Sequence, residues 1–433
     1  MTRRGVSVSG AHAPVEPSPS VPSRSGISEQ TILLCCLIGA TQMTWGSVVP
    51  ALPLYADRFG ASALILGPII AAFGVGRVIA NIPAGLALRW WHPRPYLWAV
   101  CLLLALVTSV TGFSPDPGVL IVARVFAGLF GGAAVTVGFA ALVARASADR
   151  RGRVMATATA VQMSAGAIGA LVGGLALTCF TLEVAFAVAV VPLLLCLLWD
   201  AVRPATHYWQ SLRPSDPAPS VAVRADTPWS RDSPSGTFRL RSAALASTVV
   251  ALAVASFAAF FARFGGEQGL TPVLGYDRGG LTPLTLGFAL AAATMVSLAA
   301  MPVVGRLIDR GYRLSVLIPG TLLAAVALLL YPAANGPWQF AAIVVLYGVA
   351  SSAAGVVPSV IMSESVPKHL SGFVVGVTRT AGDIGAVAGP LVAFAVYDSF
   401  GAWSAVAAIA AVLVVANAFL IRVARSSRTL PIP

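Results

Sequence analysis

Twelve long apolar runs follow one another along this chain of 433 residues. The core of a lipid bilayer is about 30 Å thick, and an α-helix needs about 20 mainly apolar residues to cross it. Within the bilayer all backbone polar groups must be paired inside the protein, which a helix achieves within its own segment. The runs therefore predict an all-α integral membrane protein with twelve transmembrane helices, at approximately residues 31–55, 63–88, 95–112, 118–144, 154–178, 182–201, 242–272, 282–308, 313–334, 338–362, 372–397 and 400–422.

The composition agrees with this prediction and excludes a water-soluble domain. Hydrophobic residues make up 57% of the chain and charged residues only 10%, whereas soluble domains carry about a quarter charged residues. The five cysteines all lie within apolar runs and lack the spacing of a metal site or of an extracellular disulfide set. We interpret them as packing residues: Cys35, Cys36, Cys101, Cys179 and Cys196.

A polar, proline-rich stretch divides the twelve runs into two groups of six. A stretch of this composition is typical of a linker, because proline interrupts regular structure. The start of the chain is rich in Ser and Pro, and such a segment buries too little apolar surface to become ordered. The predicted organisation is a disordered cytoplasmic tail at 1–29, an N-terminal six-helix bundle at 30–201, a cytoplasmic linker at 202–240, a C-terminal six-helix bundle at 241–422 and a cytoplasmic tail at 423–433.

The two groups of helices also match each other at a shift of 220 residues. Glycine or proline recurs at equivalent places in both groups, and six such matches at one shift are hard to ascribe to chance. The repeat predicts two halves of the same topology, related by an axis along the membrane normal. The matching pairs are Gly67 and Gly287, Gly85 and Gly305, Pro117 and Pro337, Gly128 and Gly348, Gly152 and Gly372, and Gly169 and Gly389.

The distribution of basic residues predicts the orientation of the chain. With the N-terminus inside, 22 of the 28 Lys and Arg residues fall on the cytoplasmic side, as the positive-inside rule requires. Both termini are therefore predicted to be cytoplasmic, and the net charge of +12 is explained without a nucleic-acid partner. Arg outnumbers Lys by 27 to 1, which favours a GC-rich bacterium and hence a multi-pass protein of its plasma membrane.

The loop after the second helix of each half carries a recognisable motif. In the second half Gly305, Leu307, Asp309, Arg310 and Arg313 follow the pattern G-x-L-x-D-R-x-x-R. This pattern resembles the glycine-aspartate-arginine loop of the major facilitator superfamily, which implies a role in gating the conformational change. The first-half copy keeps Gly85 and Arg94, but Arg89 stands where that family has the aspartate.

Two further segments resemble motifs of the same family. In the fourth helix Arg124 and Gly128 resemble a segment in which an intramembrane arginine lies near the proton-coupling site. The fifth helix resembles the antiporter motif G-x-x-x-G-P-x-x-G-G, with alanine in place of its first glycine and of its proline. Small residues at these spacings also serve simply to pack helices closely. The residues of this packing motif are Gly169, Gly173 and Gly174, with Gly389 and Pro390 as the symmetry-related pair.

The resemblance extends over nearly the whole chain after the tail. It implies two six-helix bundles that form one transporter, similar to the twelve-helix drug and metabolite exporters. The partners that it implies are a small-molecule substrate and the lipid bilayer, with a single chain as the functional unit. No cofactor is expected beyond the proton gradient that drives transport.

Charged residues inside the helices are the strongest functional indicators, because each costs about 2.5–3.5 kcal/mol to place at the bilayer centre. Arg263 and Glu267 are four residues apart, as are Arg379 and Asp383, so each pair shares a helical face and can form an ion pair. Burial raises the pKa of a carboxylic acid and a nearby arginine lowers it, so making and breaking such a pair can bind and release a proton. These four residues and Arg124 are the proton-coupling candidates; the alternative is that the paired charges only fix helix positions.

Other polar and aromatic residues within the helices are candidates for the substrate cavity. Arg77 has no acidic residue nearby in sequence, so its partner must come from another helix or from an anionic substrate. The uncharged candidates equally suit hydrogen bonding or packing between helices. The cavity candidates are Arg77, Gln42, Trp45, Asn81, Gln162 and Phe260.

Three functional hypotheses follow from these residues. The first is a proton-coupled exporter in which the two bundles rock about a central cavity. The second is a proton-coupled importer of a small organic anion, with Arg77, Arg124, Arg263 and Arg379 as anion ligands. The third is a membrane receptor or scaffold that does not transport. An enzyme is not expected, because no catalytic triad, metal-ligand set or phosphate loop occurs in the sequence.

Overall fold

The computed structural model describes residues 29–88, 90–145, 151–203, 209, 235–366 and 371–427. Residues 1–28 of the predicted N-terminal tail, most of the predicted linker and residues 428–433 lie outside the described residues. Within the described ranges the regular structure is entirely helical. The helices are α1 (Glu29–Arg58), α2 (Ala63–Ala87), α3 (Pro93–Thr111), α4 (Pro117–Arg145), α5 (Arg151–Cys179), α6 (Leu182–Val202), α7 (Leu245–Asp277), α8 (Pro283–Asp309), α9 (Arg313–Ala333), α10 (Pro337–Ser365) and a final segment (Ser371–Ser427).

The final segment contains two membrane crossings. Within the described residues 11 helices are long and apolar enough to span a bilayer, and the last of them has 51 residues. A straight helix of that length would be about 75 Å long, more than twice the bilayer core. Gly401 interrupts it with φ 82° and ψ 178°, a conformation that favours glycine. The crossings are therefore α11 (371–400) and α12 (402–427), and the predicted all-α membrane fold is confirmed.

One boundary differs from its prediction. The helix that leads into α7 begins at Ser235, inside the predicted linker 202–240. Pro234 is the last proline of that stretch, and a proline removes the backbone donor that a helix interior would use. The helix therefore extends back to Ser235, beyond the apolar run from which its start was predicted.

The two halves repeat the same helix packing. In the N-terminal half α1 packs on α5, and α2 packs on α4; in the C-terminal half α7 packs on α11, and α8 packs on α10. Between the halves, α5 contacts α8 and α2 contacts α11. The shift of 220 residues thus corresponds to a structural repeat, and the helices α2, α5, α8 and α11 make most of the contacts between the halves.

Glycines allow the closest helix contacts in both halves. A Cβ atom at Gly169 or Gly173 would collide with backbone atoms of Met43 or Ser47 on α1, and one at Gly389 would collide with Phe261 on α7. Gly174 lies equally close to Pro283 at the start of α8. Pro390 contributes the carbonyl oxygen nearest to Gly67 of α2, 3.1 Å from an added Cβ. The motif residues of α5 and α11 thus lie where helices approach most closely.

Replacing Gly173 with alanine should destabilise the protein. The added methyl group would meet the Ser47 carbonyl oxygen, and overpacking of this kind costs about 1–3 kcal/mol. Gly376→Ala on α11 is the matched control, because a Cβ there meets no described atom within 4 Å. Thermal melting of the purified protein should show a lower Tm for Gly173→Ala only. Equal melting temperatures for the two variants would contradict this packing role.

The halves meet at one end of the molecule and separate at the other. At the end away from the termini, the Tyr276 hydroxyl donates to the Pro50 carbonyl oxygen over 2.6 Å, and Gly287 packs against the backbone of α5. At the end that bears the termini, a Cβ at Gly85 or Gly305 would meet no described atom within 4 Å. The described residues thus leave open space at the end that bears the termini.

Candidate functional site

Helix α7 departs from regular α-helical geometry at the centre of the molecule. Residues Ala262–Leu270 form a π-helix, with hydrogen bonds five residues apart, a geometry that recurs at functional sites. Gly265, Gly266 and Gly269 all lie in this segment, and an added Cβ at Gly265 would lie 2.7 Å from the carbonyl oxygen of Gly389 on α11. The π-helix carries Arg263 and Glu267 to the interface between the halves.

A buried carboxylate connects the two halves. Asp383 of α11 is only 4% exposed, and its Oδ2 atom accepts a hydrogen bond of 2.7 Å from Asn81 Nδ2 on α2. The Nη2 atom of Arg77 lies 3.7 Å from its Oδ1 atom. The Thr136 hydroxyl of α4 donates to Asn81 Oδ1 over 3.5 Å. This network joins α2 and α11 through one ion pair and one hydrogen bond.

The predicted pair of Arg379 and Asp383 is not formed. The side chain of Asp383 faces α2, where Arg77 and Asn81 compensate for the loss of hydration of the carboxylate. Arg379, one turn earlier, is exposed and lines a small cavity of about 10 Å³ together with Arg77. The prediction was wrong because spacing along one helix does not reveal the better partners on another.

The predicted pair of Arg263 and Glu267 is not formed either, since no ion pair within 4.0 Å joins these two described residues. Arg263 instead extends across the interface, and its Nη1 atom donates to the Met163 sulfur of α5 over 2.9 Å. The side chains of Arg263 and Glu267 both line a cavity of about 30 Å³. Trp45 lies in the same wall, and its Nε1 atom donates to Gln268 Oε1 over 2.8 Å.

Arg124 is buried against two aromatic rings. The residue is 2% exposed, and its Cζ atom lies 4.5 Å from the centre of the Trp45 ring and 5.0 Å from that of the Phe73 ring. These rings stack on each other with centroids 4.3 Å apart. Within the described part of the chain, its Nε and Nη2 atoms have no hydrogen-bond partner. Cation–π contact is therefore the main interaction of this guanidinium group.

The structure brings most of the predicted cavity residues together. Gln162 of α5 donates to Gln42 of α1 over 3.3 Å, and both side chains line the small cavity beside Arg77 and Asn81. Phe260 lies elsewhere, in the wall of a larger cavity of about 190 Å³ inside the C-terminal half.

Several residues of these walls were missed from the sequence. Gln268 stands between a charged residue and a glycine within an apolar run. A polar residue at such a position is a sequence signal for a site within the membrane. Met163 and Thr136 are ordinary helix residues, so only the fold reveals their contacts.

The residues of the predicted gate lie at the open end. Asp309 and Arg310 are exposed at the end of α8, and no described basic residue lies within 4.0 Å of the Asp309 carboxylate. Arg313 is half-buried at the start of α9. Gly85 and Gly305 have open space beside them. The gating role of this motif stays a prediction, because among the described residues neither Asp309 nor Arg310 bonds to the N-terminal half.

Comparison with known proteins identifies related sequences. The model of the Major Facilitator Superfamily matches residues 34–390 and 252–432. Multidrug resistance protein MdtG of Enterobacter lignolyticus (strain SCF1) is 32% identical over 117 residues, which cover 27% of each protein. MdtG of Salmonella typhi is also 32% identical over 117 residues, covering 27% of this chain and 28% of that protein. The match thus spans about a quarter of the length of these relatives.

A solved structure has the same fold. It is a bacterial homolog of the human lysosomal transporter Spinster, in an inward-facing and unoccupied conformation. The TM-score is 0.68 over 92% of this chain and 96% of that chain, at 14% sequence identity. This likeness concerns the fold alone.

Proposed function

The chain belongs to the major facilitator superfamily, and we propose that it exports a small organic molecule across the bacterial plasma membrane in exchange for protons. Membership of this family makes the chain a membrane transporter and not an enzyme. The proposal adds the direction, the coupling ion and the orientation, with both termini in the cytoplasm. It also takes one chain as the working unit.

The observation that carries the coupling is the buried carboxylate of Asp383 between the halves. When ionised, it attracts Arg77 and accepts a hydrogen bond from Asn81 of the opposite half. Protonation neutralises this charge and weakens the contact between α2 and α11. Proton binding is thereby linked to the movement of one half against the other, because a ligand shifts a conformational equilibrium by its different affinity for the two states. Glu267, in the cavity wall of α7, is the second proton-carrying candidate.

Two observations favour export. The relatives matched over about a quarter of their length are named as multidrug resistance proteins. The packing residues of α5 also resemble an antiporter motif, and Gly169, Gly173 and Gly174 of this motif contact α1 and α8 closely. Helix α5 thus packs closely both on a helix of its own half and on a helix of the other half. A helix that transmits the rocking of one half against the other needs both contacts.

A second candidate function is proton-coupled import of an organic anion. It is favoured by Arg263 and Arg379, for which the described residues supply no carboxylate within 4.0 Å. In that case an anion and a proton would move in the same direction.

Everted membrane vesicles from cells that produce the protein distinguish these functions. Respiration acidifies the vesicle lumen, and a quenched acridine dye reports the pH gradient. For an exporter, adding a transported solute outside should release protons from the lumen and restore fluorescence. Deeper quenching would instead indicate symport. Vesicles without the protein are the control, and a broad solute panel without any protein-dependent change would refute proton-coupled transport.

A further inference from the structure

We propose that the transported molecule is an amphipathic organic anion, with its anionic group bound by Arg263 and Arg379 and its apolar body held in the cavity of the C-terminal half. This inference rests on the proposed transport function and specifies its substrate class.

Three arginines from three helices surround the opening between the halves. Arg77 of α2 and Arg379 of α11 line one small cavity, Arg263 of α7 lines a second, and Gln42 lies in the wall of both. Asp383 pairs with Arg77, so it compensates only one of these charges. Arg263 contacts the neutral sulfur of Met163, and Arg379 is exposed in the cavity wall. Glu267 shares a cavity wall with Arg263, so three arginines face two carboxylates and the cluster keeps one positive charge in excess.

This charge requires a ligand because it lies at membrane depth. A cation in a transmembrane segment is costly unless it faces water or a partner of opposite charge. Arg124 meets this requirement differently, since its guanidinium group is sealed by Trp45 and Phe73 and is closed to a solute. Of the four arginines inside the helices, Arg263 and Arg379 are thus the pair left to bind an anion.

The adjacent cavity fits an apolar body. Its volume is about 190 Å³, and none of the described residues that line it is charged. A dry cavity of about 150 Å³ with apolar walls is large enough for benzene. Phe260 and Thr378 lie in its wall, and they precede Arg263 and Arg379 by three residues and one residue. The wall thus includes residues of α7 and α11, the two helices that carry these arginines. The other wall residues are Leu252, Ala255, Ser256, Ala259, Ala324, Ser351, Ala354, Gly355, Pro358, Met362, Leu413 and Asn417.

The acidic residues of the site do not favour a cationic substrate. Asp383 is 4% exposed and already bound to Arg77 and Asn81. Glu267 lies in a cavity of only about 30 Å³ that it shares with Arg263. A cation that approached Glu267 would therefore meet the Arg263 charge in the same space, and like charges placed together oppose binding. An anion has Arg379 as a second site, in a cavity whose described lining residues include no carboxylate.

Three naphthalene compounds of equal ring size test this inference. Calorimetry on the purified full-length protein would compare naphthalene-2-sulfonate with 2-naphthyltrimethylammonium and with neutral 2-naphthol. We expect the anion to bind at least about tenfold more tightly than the cation. Arg263→Gln and Arg379→Gln should each weaken anion binding by about 10- to 100-fold, the loss expected for a charged hydrogen bond, and should leave 2-naphthol binding unchanged.

Arg306→Gln is the matched control, because Arg306 is exposed on α8 and lines none of these cavities. A preference for the cation, equal binding of anion and cation, or no binding of the three compounds at millimolar concentration would overturn the inference. The wild-type comparison remains decisive even when a glutamine variant does not fold. Anion binding without pH-driven transport would instead refute the proposed function, whereas cation binding with intact transport would refute only the substrate class.

Discussion

Replacing Asp383 with asparagine should reduce pH-gradient-driven transport by about 100-fold, equivalent to about 2.7 kcal/mol, while sparing solute exchange at equal pH. The amide oxygen of asparagine can still accept the hydrogen bond from Asn81, which spans 2.7 Å in the wild type. The amide cannot bind a proton in the relevant pH range or attract Arg77 as a carboxylate does. The variant therefore removes the proton-dependent change of the contact and keeps a similar shape.

Transport by Asp383→Asn is best measured in proteoliposomes with and without an imposed pH gradient. Asp398→Asn is the matched control, because Asp398 is exposed near the far end of the same helix. Glu267→Gln tests the second carboxylate in the same assay. Unchanged pH dependence in both Asp383→Asn and Glu267→Gln would refute the coupling proposal, since these are the carboxylates that line the centre of the molecule.

The fold was largely predictable because two independent signals agree. The length of each apolar run predicts a membrane crossing. The identical glycine and proline residues at a shift of 220 positions predict the repeated topology. The final segment shows how the signals complement each other: its helix continues to Ser427, and the single residue Gly401 separates two crossings. The predicted runs at 372–397 and 400–422 separate at the same place because the spacing of polar residues near Asp398 already marks a membrane surface.

The site was predictable in its residues but not in its contacts. Hydropathy identified Arg77, Asn81 and Asp383 as polar groups at membrane depth, yet Asn81 and Asp383 are 302 positions apart. Their contact depends on how α2 of one half packs on α11 of the other, which helical periodicity within a single segment does not contain. The π-helix of α7 was likewise not predicted, although its three glycines and two charges mark Ala262–Leu270 as unusual.

Replacing Arg124 with methionine should affect stability and transport in opposite directions. The guanidinium group is buried, and two of its nitrogen atoms lack a hydrogen-bond partner among the described residues. Leaving buried charged donors unpaired costs more than about 1–3 kcal/mol, whereas the cation–π contacts return about 2 kcal/mol. Methionine keeps an unbranched apolar side chain beside Trp45 and Phe73. We therefore expect the free energy of unfolding of Arg124→Met to be equal to or higher than that of the wild-type protein.

In a domain of 150–250 residues, a gain of 1 kcal/mol in the free energy of unfolding raises Tm by about 2–4 °C. Thermal melting of Arg124→Met can resolve a change of this size.

Transport by this variant should fall to background, because a cation retained at membrane depth without a partner indicates a functional role. Its contact with Trp45, which is hydrogen-bonded to Gln268 of α7, supplies the route by which the charge influences the opposite half. Arg278→Met, at an exposed position, should alter neither property. A lower Tm together with full transport would show instead that Arg124 acts only in packing.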